Sequence, residues 1–317
     1  MTPVALARFG FLTLPNYSMI ACANAIEPLR MANRLTGRPD YGWTMLTLDG
    51  APAEASNGLS LGPTVALEAA GPLDVVLVCG GVDVRQSVGR PIKTALRRLA
   101  RQGRALGALC TGTFALAEAD LLQGYRCAIH WENLSAIREE FPKVDFVNDL
   151  YAIDRDRLTC TGGVAPLDMM LHLIAGRFGR DLADQISMQF ILDRTRAGEE
   201  RQPSLAQSQS IVGNPVLERA VRLMEERIEF PPSAAAIAEH AGVSPRQLER
   251  LFRQHLGQTP SAFALSLRLD RARALLRQTA MPITDIALAC GFNSATHFST
   301  AYRRRFEQSP RAERTEG

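Results

Sequence analysis

Residues 244–260 and 294–310 carry one pattern twice at a constant offset of 50, which pairs Leu248 with Phe298, Phe252 with Tyr302, Arg253 with Arg303, Leu256 with Phe306 and Pro260 with Pro310. Just upstream, Ile237-Ala238-Glu239-His240-Ala241-Gly242 is echoed by Ile286-Ala287-Leu288-Ala289-Cys290-Gly291. Each copy reads as helix, glycine turn, helix, the glycine standing where a left-handed residue reverses the chain without a Cβ penalty. Ser244 and Ser294 then stand at the cap of each second helix, and the first copy adds Pro245 at N1 and Gln247 at N3 in a capping-box arrangement. Ile237, Ala241, Val243, Leu248, Leu251 and Phe252 fall where the two helices face each other, and Ile286, Cys290, Phe292, Phe298, Ala301 and Tyr302 repeat that pattern. Such spacing demands an all-helical region built from two helix-turn-helix units. The first unit leaves Arg246, Gln247, Glu249, Arg250 and Arg253 exposed at the start of the helix that such units set against base edges in the major groove.

Charge supports that reading. From Ser204 onward there are 15 arginines, no lysine and 11 acids, whereas the preceding two hundred residues are close to neutral. Arginine offers a planar fork of donors to phosphates and guanine edges. Residues 260–278 read as a long helix spacing the two units, so they address successive major-groove segments about 34 Å apart on one side of double-stranded DNA.

The first two hundred residues alternate short apolar runs with helical patterns. Strands are predicted at 4–14, 43–48, 75–78, 105–109 and 157–161, and helices at 19–35, 91–101, 113–119 and 166–178. Alternation of this kind argues for a flavodoxin-like, mainly parallel sheet covered on both faces. Polar residues such as Pro203, Ser204, Gln207, Ser208, Gly213 and Asn214 mark a linker over 201–214. The expected organisation is an α/β domain over 1–200, the linker, and an all-α domain over 215–317. The six cysteines show no CxxC and no zinc-like spacing with histidine, so neither a metal nor a cofactor is expected. The uncharged stretch 9–26 is broken by Pro15, Asn16, Tyr17 and Ser18 and lacks a basic n-region, so it reads neither as a signal peptide nor as a membrane span; a cytoplasmic protein is expected.

These residues carry a resemblance. Ser244-Pro245-Arg246-Gln247-Leu248-Glu249-Arg250-Leu251-Phe252, Gly257-Gln258-Thr259-Pro260, Arg268-Leu269-Asp270-Arg271-Ala272 and Cys290-Gly291-Phe292-Asn293-Ser294-Ala295-Thr296-His297-Phe298 look like the AraC/XylS transcription regulators. The resemblance implies base reading by Arg246, Glu249 and Arg250 in the first unit and by Ala295, Thr296, His297 and Thr300 in the second. With their exposed neighbours, Gln247, Arg253, Ser294, Arg303 and Arg304 complete the candidate DNA-facing set. Two departures stand out, because the family usually has Arg where Thr300 stands and Gly where Glu307 stands.

In the first domain, Ala105-Leu106-Gly107-Ala108-Leu109-Cys110-Thr111-Gly112-Thr113 runs from a buried strand straight into a helix with Cys110 at the elbow, where a helix dipole lowers a thiol pKa and free N–H groups accept an anion. Together with Cys79-Gly80-Gly81, His130-Trp131-Glu132 and Thr161-Gly162-Gly163-Val164-Ala165-Pro166-Leu167-Asp168, this segment resembles the class I glutamine amidotransferase-like superfamily. The whole chain resembles the GlxA-like subgroup, which fuses that fold to an AraC-type domain. The resemblance implies a transcription activator that dimerises, works with RNA polymerase and answers a small effector, an amino acid or a quaternary ammonium compound such as carnitine or glycine betaine. The effector residues expected are Cys110, Thr111, His130, Trp131 and Tyr17, the aromatic rings offering a face to a cation. Two alternatives compete: a cysteine-dependent amidase or deglycase with a DNA-binding tail, and a redox sensor acting through Cys110. No acid lies between Tyr17 and Ala25, where active superfamily members commonly place one beside the thiol, and this weighs against an enzyme.

Overall fold

The computed structural model describes residues 6–202, 211 and 213–316, so residues 203–210 and 212 of the predicted linker and the first two residues of the predicted first strand lie outside it. The chain forms two compact units, Met1–Gln202 and Pro203–Gly317.

The first unit runs β1 (Arg8–Thr13), α1 (Met19–Thr36), β2 (Gly42–Thr47), β3 (Thr64–Ala66), β4 (Val75–Cys79), α2 (Val84–Ser87), α3 (Arg90–Arg101), β5 (Ala105–Leu109), α4 (Thr113–Glu118), β6 (Arg126–Ala128), α5 (Trp131–Glu140), β7 (Asp145–Val147), β8 (Tyr151–Asp154), β9 (Arg157–Cys160), α6 (Ala165–Phe178) and α7 (Arg180–Gln189). Seven strands form one sheet in the order β3-β2-β1-β4-β5-β9-β8, parallel throughout except that β8 runs antiparallel to β9. Period-two alternation explains both layers. Phe9, Phe11, Val75 and Leu77 face a core shared with Leu29 of α1 and Met170 and Ile174 of α6. Leu12, Val76, Val78 and Leu106 face the opposite core with Leu96 of α3 and Phe114 of α4. A sheet buried on both faces is the setting parallel strands require. Strand order reverses at β1, with β2 and β3 on one side and β4, β5 and β9 on the other, and ligands in such sheets bind beyond the carboxyl ends beside the reversal.

The second unit is helical: α8 (Pro215–Glu226), α9 (Ala234–Ala241), α10 (Pro245–Leu256), α11 (Pro260–Gln278), α12 (Ile283–Ala289), α13 (Ala295–Phe306) and α14 (Pro310–Glu316). Ile237, Ala238 and Ala241 of α9 and Leu248 and Phe252 of α10 close a core with Leu217, Val221 and Met224 of α8. In the second copy Ile286, Ala287 and Cys290 are buried at the matching positions beside an aromatic run, with ring centroids 5.2 Å apart for Phe292–Phe298, 5.6 Å for Phe298–Tyr302 and 4.7 Å for Tyr302–Phe306. Arg268 of α11 clasps the turn before α13, its Nε donating to the Cys290 carbonyl at 2.7 Å and its guanidinium lying 4.0 Å over the Phe292 ring. Helix α14 supplies Glu313, 1% exposed, whose carboxylate accepts from Arg273 Nε at 3.0 Å, Tyr302 Oη at 2.9 Å, Arg277 and Gln308. No helix among the described residues is long and apolar enough to cross a membrane.

Candidate nucleic-acid interface and effector site

The two repeated helices start alike. Ser244 Oγ accepts from the Gln247 amide at 3.2 Å, and Ser294 Oγ from the His297 amide at 3.4 Å. These caps set the helical phase, which turns Leu248 and Phe252, or Phe298 and Tyr302, inward and the intervening polar residues outward. Arg246, Gln247, Glu249, Arg250 and Arg253 are exposed on α10. Ser294 and, on α13, Ala295, Thr296, His297, Thr300, Arg303 and Arg304 are exposed in the same way. An open concavity of about 990 Å³ runs along α10, lined by Ser244, Arg246, Gln247, Glu249, Arg250, Arg253 and Gln254.

Within each set the side chains differ in their freedom. Arg253 Nη2 donates to Glu249 Oε1 at 2.9 Å, one helical turn away, so these two are partnered with each other. Arg246, Arg250, Arg303 and Arg304 form no ion pair among the described residues, whereas Arg305 is bound to Asp270 of α11 at 3.0 Å. The capping box is half formed: among the described residues only the backbone-to-Ser244 bond is made, and the Gln247 amide group stays on the open face.

In the first unit, the carboxyl ends of β1, β4 and β5 are tied together. The Ser18 amide donates to the Gly80 carbonyl at 3.0 Å and the Val82 amide to Asn16 at 3.1 Å, while Thr111 Oγ1 donates to the Gly81 carbonyl at 2.7 Å. Cys110 forms the elbow in left-handed backbone, φ 60°, and Gly162 beyond β9 lies so close that a β-carbon there would stand 3.1 Å from its Sγ. On the other side Thr113 Oγ1 donates to the Ala128 carbonyl at 2.8 Å, which ties the start of α4 to the segment leading into His130. The His130 ring lies 5.6 Å from that of Trp131, and its Nδ1 is 3.6 Å from Glu132. Cys110 and His130 both feel the charge of Glu132, which the His130-Trp131-Glu132 motif contains but to which sequence reasoning assigned no role.

Two expectations are corrected. The elbow does not acidify Cys110. Burial pushes the thiol up to about 11, with Glu132 adding to the rise and the Thr111 backbone only partly opposing it. No cation among the described residues offsets the desolvation, and α4 is only six residues long, too short to align many peptide dipoles. Tyr17 offers no face to a ligand, because its ring is fully buried and its Oη accepts from the Leu61 amide at 3.2 Å. His130 is held below its ordinary value by burial, partly offset by Glu132, and is neutral at pH 7. The first turn of α1 holds no acid, and Glu27 further along accepts from Arg30 at 2.8 Å.

Two family descriptions match this chain: a helix-turn-helix domain over residues 237–316 and the DJ-1/PfpI family over residues 22–176. The HTH-type transcriptional regulator GbdR of Pseudomonas aeruginosa is 48% identical over 305 residues, covering 96% of this chain and 83% of its own length. CdhR of the same species is 43% identical over 306 residues, covering 96% and 91%, and GlxA of Rhizobium meliloti is 40% identical over 305 residues, covering 96% and 94%. The crystal structure of an AraC family transcriptional regulator from Pseudomonas putida superposes with a TM-score of 0.53 at 31% identity, over 58% of this chain and 99% of that one. Sequence identity of this order along almost the full length shows that the chain belongs to the GlxA-like HTH-type transcriptional regulators, in which a DJ-1/PfpI domain is followed by an AraC-type helix-turn-helix domain.

Proposed function

We propose that residues 215–317 read promoter DNA through α10 and α13, and that residues 1–200 sense a small metabolite and pass its presence across the segment 201–214. The observation that carries the DNA reading is the repeated cap at Ser244 and Ser294, which turns the same phase of each helix outward and leaves Arg246, Arg250, Arg303 and Arg304 without an ion pair among the described residues. Arg246, Gln247, Glu249 and Arg250 address bases in one major-groove segment, and Ala295, Thr296, His297 and Thr300 in the next. Ser294, Arg253, Arg303 and Arg304 hold the phosphates. The chain acts in the cytoplasm as a homodimeric activator that engages RNA polymerase.

The effector binds beyond the carboxyl ends of β4 and β5, around Cys110, Thr111, His130 and Trp131. A quaternary ammonium compound or an amino acid fits, because the partly exposed Trp131 ring presents a π face to a cation and neutral His130 offers both a donor and an acceptor. Chemistry at Cys110 is not part of this reading. A thiol raised to about 11 is protonated at neutral pH, and no acid stands in the first turn of α1 to assist it. Fluorescence anisotropy with the chain's own upstream region and that of a neighbouring catabolic operon tests the DNA reading, which fails if neither is preferred over random duplex as salt is varied. A thermal-shift screen with glycine betaine, carnitine and amino acids tests the effector reading.

A further inference from the structure

Beyond α7 the chain returns to the effector site as a strap. The Arg196 amide donates to Asp168 Oδ1 at 2.8 Å, and its guanidinium donates to Oδ2 at 2.9 and 2.7 Å. Asp168 is 2% exposed in the first turn of α6, six residues after the Gly162 that lies against Cys110. Next, the Leu150 amide donates to the carbonyls of Gly198 and Glu200 at 3.0 and 2.9 Å, and the Gln202 amide to Asn148 at 3.1 Å. Finally the Gln202 side chain, 2% exposed, donates through Nε2 to the Ile129 carbonyl at 3.0 Å. Ile129 sits between Ala128, which Thr113 holds, and His130. The strap is thus fastened to both segments that frame the site, and it ends at the boundary of the unit.

One end of the Gln202 amide is unsatisfied: Oε1 is buried without a hydrogen-bond partner among the described residues. A buried acceptor without a donor destabilises the state that buries it, so the Nε2–Ile129 bond is what keeps the side chain inside. Hydrogen bonds weaken steeply with misalignment. A small displacement of the Ile129 carbonyl leaves both ends of the amide unpaired and favours expulsion into water, while the Arg196–Asp168 anchor holds the rest of the strap.

We propose that Gln202 is a positioning residue that couples effector binding to the inter-domain segment: a ligand seated at His130 and Trp131 shifts Ile129, and Gln202 passes between buried and released states. This rests on the effector site proposed above. It supplies the two-state element through which one site can bias another.

The test uses the full chain and its Gln202→Leu variant, which keeps the size of the side chain and removes both the bond and the orphaned oxygen. Each is titrated with glycine betaine, carnitine and the amino acids in thermal shift, and each drives a promoter reporter in cells given the same compounds. We expect the ligand-induced thermal shift to be retained in Gln202→Leu while the effector-dependent rise in reporter output falls about tenfold. A variant that responds like wild type overturns the proposal, as does one that loses ligand binding together with the response. If no compound shifts the wild type, the effector reading itself falls and this inference with it. Hydrogen exchange on the unmodified protein gives a second arm. The compound that shifts wild type should change protection at the Gln202 amide, and a change confined to 128–131 with none at 198–202 overturns the coupling.

Discussion

The two helix-turn-helix copies share a backbone path and divide the remaining chemistry unequally. At matched positions α10 ends on Gly257, φ 66°, and α13 on Glu307, φ 62°. The same left-handed turn is therefore made once by a residue that adopts it freely and once by a residue that is strained in it. Arg250 on the first reading face is matched by Thr300 on the second, and Pro245 at N1 by Ala295. In exchange, the second copy is braced from outside. Its turn is held by Arg268 at the Cys290 carbonyl just as Arg219 of α8 holds the first at the Ala241 carbonyl, but Asp270 also fixes Arg305 and Glu313 draws Arg273, Arg277, Tyr302 and Gln308 together. The two copies share one backbone geometry, while the glycine turn and Arg250 stand in the first and the buried carboxylate cluster in the second.

The largest test of that division is Glu313→Ala. It removes the carboxylate that two arginines and a buried tyrosine hydroxyl share, and should cost on the order of 3 kcal/mol. Denaturant unfolding should show the loss, whereas Glu249→Ala, which removes only the exposed partner of Arg253 in the first copy, should change stability by about 0.5 kcal/mol at most. Burial alone would raise the Glu313 carboxyl, but its hydrogen bonds outweigh burial and hold it down at about 2, against an ordinary 4.5. Its folded value is depressed, so its contribution is complete above pH 4.5 and is lost as the pH falls toward 2. An acid titration of unfolding that is flat over that window in wild type would break the assignment.

Next in size is Arg250→Ala, expected to weaken specific DNA binding by about 2 kcal/mol and to relax preference at the base it reads. Thr300→Ala should cost less than half as much, and equal losses in the two variants would show that the copies read DNA equally. Glu307→Gly should stabilise the chain by about 1 kcal/mol by relieving the left-handed turn, while Gly257→Glu should destabilise it by a similar amount. The smallest effect is expected from Arg304→Ala, which should lower affinity evenly across sequences and reduce the slope of log K against log salt by about 1.

The tandem units were legible because each buries a complete apolar face at one spacing, so Leu248, Phe252, Phe298 and Tyr302 announced their positions. The parallel core was legible for the same reason, β4 being five consecutive buried residues. What escaped was short or depended on contact. Strands β6 and β7 have three residues each, too few for a period to show. Helix α14 reads Pro-Arg-Ala-Glu-Arg-Thr-Glu, a solvated charge run by composition, yet it delivers the buried Glu313. At the effector site the strand-to-helix elbow was visible, but the state of Cys110 depends on burial and on Glu132, and the fate of the Tyr17 ring on the Leu61 backbone. Gln202 looked like linker composition, because nothing local shows that its side chain turns back to Ile129.

Helix α11 joins the copies without interruption over 19 residues and is gripped at both ends, by Phe252 against Phe263 near its start and by the Glu313 cluster on Arg273 and Arg277 near its finish. It therefore works as a gear as well as a spacer. Each residue added or removed rotates everything beyond it by about 100° and advances it by about 1.5 Å. A single deletion in α11 would leave both recognition helices folded and every DNA-facing side chain in place, yet the second would meet the duplex on another flank. On the proposed reading, the promoter this regulator recognises is written as much in the length of that helix as in the arginines of its exposed faces.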